Sequence, residues 1–206
     1  MRAHAITTAA ALCAGLVAAL VAGTAAAAPE VGKPAPAFTG TDTTGKTWNL
    51  ADLRGTPVIL EWTNHDCPYV VKHYESGNMQ ALQKEATEAG YTWLSVISSA
   101  PGKQGHVSAG QADALTESRG AAPTAVLLDP EGNIGKAYGA RTTPHMYVID
   151  ADGTLVYMGG IDDKPTTDIA DVEGAENYVR LAMAALAAGE SVAKAVTRPY
   201  GCSVKY

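Results

Sequence analysis

Two cysteines define the chemistry open to this chain. Cys67 stands in the run Glu61-Trp62-Thr63-Asn64-His65-Asp66-Cys67-Pro68-Tyr69-Val70-Val71-Lys72-His73. There an apolar stretch (Pro57, Val58, Ile59, Leu60) gives way to a proline suited to the first position of a helix. A thiol at a helix N-terminus faces free backbone N–H groups and the positive end of the helix dipole, and both favour the thiolate. Lys72, His65 and His73 can add to that effect if they point inward, whereas Asp66 and Glu61 oppose it, so sequence alone gives the net shift no sign. The bland alternative is a buried, inert cysteine. Cys202, near the C-terminus, is the candidate resolving thiol, because attack on a mixed disulfide or a sulfenic acid needs a second thiol within reach. Three fates stay open for the pair: a redox-active disulfide, a permanent structural bridge, or no pairing. His65, Cys67 and His73 also offer a copper- or zinc-type ligand set. However, His73 falls nearly two turns inside the expected helix and the three need not converge, so neither a metal nor a cofactor is expected.

Composition sets the frame for this chemistry. Residues 1–27 begin Met1-Arg2, run through Ala, Leu and Val, and end in small residues before Ala28-Pro29, the pattern of a secretory signal peptide cleaved after Ala27. An uncleaved anchor is the alternative, and Cys13 falls inside the leader. The remainder is long enough for one domain with its own core. The chain carries 15 basic and 21 acidic side chains, a formal net charge of −6, with no basic run, which argues against a nucleic-acid partner. Export places the two remaining cysteines where a disulfide can persist, in the periplasm or outside the cell, with no stable membrane insertion once the leader is removed.

The elements that must position the cysteines follow from pattern. Pro57–Thr63 reads as a strand buried on both faces. A helix opens at Pro68, breaks at Gly77-Asn78 and resumes over Met79–Ala89. Tyr91–Ser98 and Thr124–Leu128 are further apolar strands, separated by a loop and a short helix over Ala109–Arg119. His145–Asp150 and Thr154–Gly159 flank Ala151-Asp152-Gly153 as a hairpin. Ala175–Ala188 reads as a final helix. Right-handed crossovers place the first strands in one parallel sheet, and the hairpin extends it antiparallel.

This order, with a cysteine after the first core strand, resembles the thioredoxin-fold redoxin family, in its AhpC/TSA-like, peroxiredoxin-like branch. Three segments carry the resemblance: Val31-Gly32-Lys33-Pro34-Ala35-Pro36-Ala37-Phe38 with Asp42, Gly45 and Leu50; Val58–Trp62 leading to Cys67-Pro68; and Tyr138–Pro144 followed by Val148-Ile149-Asp150 and Asp152-Gly153. It implies a thioredoxin-like α/β fold, a central mixed sheet flanked by helices with an N-terminal redoxin extension. The domain would span residues 28–190, and residues 191–206 would be a tail carrying Cys202.

The resemblance also assigns roles. Cys67 takes the place of the first, exposed and nucleophilic cysteine of a Cys-x-x-Cys whose second member is here Val70. Glu61 matches the buried acid that relays a proton beneath the active cysteines, where burial raises a carboxyl pKa. The alternative is a strand-end carboxylate in solvent. Pro144 matches the cis-proline, which sets the backbone of Thr143 beside the nucleophilic sulfur for pairing with an extended substrate; an ordinary trans-proline is the alternative, and His145 caps the strand. The peroxiredoxin pattern Pro-x-x-x-Thr-x-x-Cys is absent, since Leu60 and Asn64 stand where its proline and threonine side would fall.

The resulting expectation is an exported thiol–disulfide oxidoreductase. Cys67 is its nucleophile and Cys202 its resolving cysteine. It would act on a protein or small-molecule thiol, disulfide or peroxide, with a thiol electron donor. The alternatives are a thiol peroxidase-like antioxidant protein, and a non-catalytic thioredoxin-fold binding or metal-carrier module.

Overall fold

The computed structural model describes Met1 and residues 28–206; the expected leader lies outside the described residues. A seven-stranded sheet forms the centre, in the order β2-β1-β5-β4-β3-β7-β8. Its strands are β1 (Thr39–Asp42), β2 (Thr47–Asn49), β3 (Val58–Trp62), β4 (Thr92–Ile97), β5 (Ala125–Leu128), β7 (His145–Ile149) and β8 (Leu155–Gly159). β3, β4 and β5 run parallel, and the β7–β8 hairpin adds antiparallel to β3. A separate two-stranded ladder joins β6 (Thr142–Thr143) to β9 (Cys202–Ser203). The helices are α1 (Pro68–Glu75), α2 (Asn78–Glu88), α3 (Ala109–Ser118), α4 (Asn133–Ala137) and α5 (Tyr178–Ala188). Among the described residues no helix is long and apolar enough to cross a membrane.

Strand periodicity distributes the core. Val58, Leu60 and Trp62 of β3 face Phe38, Tyr138 and Tyr147 on one side of the sheet. Ile59 faces the other side with Trp93, Met79, Leu82 and Val179, beneath α1, α2 and α5. Side chains alternate between faces along a strand, so Glu61 shares the face of Ile59 and enters the layer that α1 roofs.

The helix opened by Pro68 ends where sequence placed its break. Gly77 has φ +74°, which favours glycine, and it separates α1 from α2. Cys67 caps α1 with an extended backbone and Pro68 occupies the first turn. The N-terminal extension is also present: Gly32 donates to Leu155 O, and Leu155 donates back to Lys33 O, laying this segment along β8.

Three strands, β1, β6 and β9, were not read from sequence. β1 pairs with β5 and forms a tight hairpin with β2 around Asp42, whose carboxylate accepts from Thr44, Lys46 and the Trp48 indole. β6 and β9 are two residues each, too short to leave a periodic signal.

Candidate active site

The end of β3, the start of α1, the turn before β7 and the C-terminal tail meet at one point. Cys67 is delivered by the β3–α1 junction, and the Thr143–Pro144 peptide bond is cis. Pairing of Thr143 with Cys202 across the β6–β9 ladder sets the tail against both. The Cys67 sulfur lies 3.0 Å from Thr143 O and 3.4 Å from the Cys202 main-chain nitrogen. The Cys202 side chain is close enough to lower the pKa of that sulfur, and both cysteines are free.

Four of the five expected site residues therefore converge: Cys67, Cys202, Thr143 and Pro144. The expectation that Cys67 is the exposed sulfur is corrected. Cys67 is 0% exposed, because the tail strand lies over it, and Cys202 is the half-buried one.

The electrostatics separate the two sulfurs. Burial pushes the Cys67 thiol up, but the Cys202 thiol and the backbone N–H groups of Val70 and Cys202 all donate to it and outweigh burial, so its pKa falls below the ordinary value. The Val70 N–H belongs to the first turn of α1, which is the helix-terminus effect anticipated from Pro68. The Thr143 carbonyl works the other way, since it can only accept from a protonated thiol. Cys202 is pushed up to about 12, by burial first, then by its hydrogen bond to Cys67 and the charge developing there. The arrangement makes Cys67 the more acidic sulfur of the pair and Cys202 the less acidic one.

The charged neighbours named from sequence do not form part of this environment. Lys72 is buried with its ammonium on Lys164 O at 2.8 Å and above the Tyr200 ring. His73 is fully buried and pushed down to about 3 by burial and by Lys72, so it is neutral. Asn78 contacts its Nδ1 at 2.9 Å and Tyr200 its Nε2 at 3.1 Å. His65 meets Asp66 instead. His65, Cys67 and His73 thus make separate contacts and do not converge as a ligand set.

Glu61 is fully buried, which removes the solvent-facing alternative. Its carboxylate accepts from Tyr74 at 2.9 Å, Gln83 at 3.1 Å, Trp93 at 2.9 Å and Ser95 at 2.8 Å. These donors come from α1, α2 and β4, so the carboxylate ties together the layer beneath the site. Neither cysteine is among its partners. His145 is buried behind Pro144, neutral, with Nδ1 facing the Arg141 N–H and the Tyr147 hydroxyl.

Sequence reasoning missed the residues that dock the tail. Thr197 N–H donates to Met158 O, and its hydroxyl accepts from Gly160 N–H. Tyr200 donates to Asp162. Past Cys202, Val204 N–H donates to Arg141 O, Lys205 O accepts from Ala100 N–H, and the Tyr206 hydroxyl donates to Ala140 O. Gly201 has φ +135°, and a Cβ there would sit 2.0 Å from Thr143 O. No local signal marked this docking: β9 has two residues and its partner β6 lies far away in sequence.

A thioredoxin-like α/β domain whose helix-capping cysteine meets a second cysteine brought from the tail defines the class. The chain belongs to the AhpC/TSA family, whose model matches residues 31–158. Cys67 and Pro144 lie within that match and Cys202 lies beyond it. No curated protein matches the sequence. Among solved structures, an uncharacterized conserved protein from Geobacillus kaustophilus is 25% identical with TM-score 0.74, over 86% of this chain and 92% of that one. A hypothetical protein from Sinorhizobium meliloti 1021 is 22% identical with TM-score 0.72, over 87% and 96%. A proposed protein disulfide isomerase from Bacteroides thetaiotaomicron is 24% identical with TM-score 0.51, over 63% and 78%. The last two support the fold alone.

Proposed function

We propose that this protein is a thiol–disulfide oxidoreductase that acts after export, in the periplasm or outside the cell, and cycles Cys67 and Cys202 between dithiol and disulfide. The observation that carries this reading is the Cys202 main-chain N–H on the Cys67 sulfur at 3.4 Å, held there by the pairing of Cys202 with Thr143. A disulfide needs a thiol that ionises readily and a second sulfur within reach; the Cys67 pKa is lowered, and Cys202 is the cysteine whose backbone contacts its sulfur. Val70, where a Cys-x-x-Cys would place its second cysteine, is fully buried in the core. The tail supplies the second sulfur from another direction. The electron partner is a dithiol, a disulfide or a thiol donor of the exported compartment.

The peroxidase alternative finds less support. A peroxide-reducing cysteine needs donors aimed at the departing oxygen. Asn64, three residues before Cys67, has its amide Nδ2 directed at Gln104 O, and Leu60 has no donor to give.

Intact-mass measurement of the purified protein after diamide and then dithiothreitol tests the proposal. The expected result is a reversible loss of two hydrogens that disappears in Cys67→Ser and in Cys202→Ser. Absence of the bridge between these two residues in the wild type refutes it.

A further inference from the structure

The two sulfurs differ in how an incoming thiol can reach them. Displacement at a disulfide is in line: attacker, attacked sulfur and leaving sulfur lie on one axis, so which sulfur is attacked depends on access from the side opposite its partner. Cys67 faces inward. It is fully buried, belongs to the core layer that holds Val70, Met79 and Met146, and has Thr143 O at 3.0 Å. An attacker of Cys67 would have to approach along the axis beyond it, through that packed interior. Cys202 lies on the outer side and is half-buried. A groove of about 550 Å³ follows the tail just before it, lined by Tyr69, Thr142, Thr197, Pro199, Tyr200 and Gly201; neither cysteine lines it, so the difference between the sulfurs rests on their burial.

We infer that Cys202, not Cys67, is the sulfur that carries the substrate in the mixed disulfide, and that Cys67 is the leaving and resolving sulfur. The inference rests on the proposed redox cycle and reverses the roles that a Cys-x-x-Cys register assigns.

The step balances as follows. A substrate thiolate attacks Cys202 Sγ of the oxidised protein. A substrate–Cys202 S–S bond forms, the Cys67–Cys202 S–S bond breaks, and its electron pair stays on Cys67 as thiolate. A second thiolate of the same substrate then attacks the first substrate sulfur and closes the substrate disulfide. The electron pair goes to Cys202, which takes a proton from solvent. The substrate dithiol has lost two electrons and two protons; the protein ends as a Cys67 thiolate and a Cys202 thiol, with one proton released. The better leaving group is the sulfur of lower pKa, and the hydrogen bonds around Cys67 make it that sulfur. Tyr200 positions this outer sulfur: it precedes Cys202 by two residues in the tail and is anchored on Asp162 and His73.

The test maps where a small thiol lands. Purified protein is oxidised with diamide until the two-hydrogen mass loss is complete, then exposed briefly to reduced glutathione and quenched in acid. Free thiols are alkylated in denaturant and peptides are mapped. The expected result is glutathione on Cys202 and the alkyl group on Cys67, with the Cys202 adduct at least about tenfold in excess. Glutathione on Cys67, or equally on both, overturns the inference and leaves the redox cycle standing. Failure to form the Cys67–Cys202 bridge in the first step overturns the proposed function itself, so the two failures are distinct. Tyr200→Phe adds an independent readout: it retains the ring but loses the bond to Asp162. Its equilibrium constant for bridge formation against glutathione is expected to fall severalfold, and an unchanged constant removes the positioning role.

Discussion

The main-chain N–H of Cys202 points at the sulfur of Cys67 across 3.4 Å, although 135 residues separate the two in sequence. Thr143 fixes this relationship. It pairs with Cys202 across the short ladder while its own carbonyl contacts the Cys67 sulfur. One residue of backbone thus sets both the approach of the Cys202 backbone to the Cys67 sulfur and the polarity around that sulfur.

That polarity predicts how Cys67 titrates. The Cys202 thiol is the largest of the contributions that lower the Cys67 pKa, followed by the backbone N–H of Val70. Cys202→Ala removes the thiol donor and keeps the main-chain one. The Cys67 pKa is expected to rise toward its ordinary value, read as a higher midpoint in the ultraviolet absorbance of the thiolate against pH. A midpoint that does not move would assign the lowering to the helix terminus alone.

Oxidation should stabilise the protein. A bridge between residues this far apart removes loop entropy from the unfolded chain worth up to about 4–5 kcal/mol in the chain-entropy model. The tail is already docked in the dithiol form, so little native distortion opposes the gain. The urea midpoint of the diamide-treated protein is expected to exceed that of the reduced protein, and the difference is expected to vanish in Cys202→Ser.

Acid should destabilise the protein through two buried histidines. His73 and His145 are both pushed down to about 3, by burial first and then by Lys72 and Arg141 respectively. In the unfolded chain each titrates near 6.5, so below that pH the unfolded state binds protons that the folded state excludes. Their contribution is complete above pH 6.5 and is lost as pH falls toward about 3, at about 1.4 kcal/mol per pH unit for each histidine. Urea midpoints measured between pH 7 and 5 are expected to fall, and His73→Gln is expected to reduce the slope. A slope unchanged in that variant would show that His73 charges without cost.

Glu61 offers a different kind of test. Its carboxylate takes four donors from α1, α2 and β4. Glu61→Gln replaces one acceptor oxygen with an amide that faces donors. The expected loss is about 2–4 kcal/mol of stability, measured by urea unfolding. The pH profile of thiol exchange then decides the proton-relay role proposed for this residue: a shifted profile supports it, and an unshifted one leaves Glu61 as the anchor of the layer beneath the site.

The sequence made the frame legible for physical reasons. β3 and β4 are buried on both faces and appear as unbroken apolar runs, while Pro68, Gly77 and Asp152-Gly153 mark boundaries that backbone geometry enforces. Cys67, Thr143 and Pro144 could be placed because each belongs to such an element. The tail could not be placed in the same way. β6 and β9 have two residues each, and their pairing joins segments about sixty residues apart, which no local pattern encodes. For the same reason Cys67 was read as the exposed sulfur: its burial depends on a strand whose docking leaves no mark near Cys67.

Gly201 tests that docking directly. Its φ of +135° disfavours any side chain, and a Cβ would press on Thr143 O at 2.0 Å, so Gly201→Ala must move the tail off β6 or distort both. The strain is on the order of 1–3 kcal/mol, less than global stability and enough to open a two-residue ladder. Lifting β9 would uncover the Cys67 sulfur and withdraw its Cys202 donors together. The expected outcome is faster iodoacetamide labelling of Cys67 at high pH, where the thiolate forms in either protein, with a raised labelling midpoint. If labelling of Cys67 in Gly201→Ala matches wild type in both rate and midpoint, the tail does not control access to this sulfur.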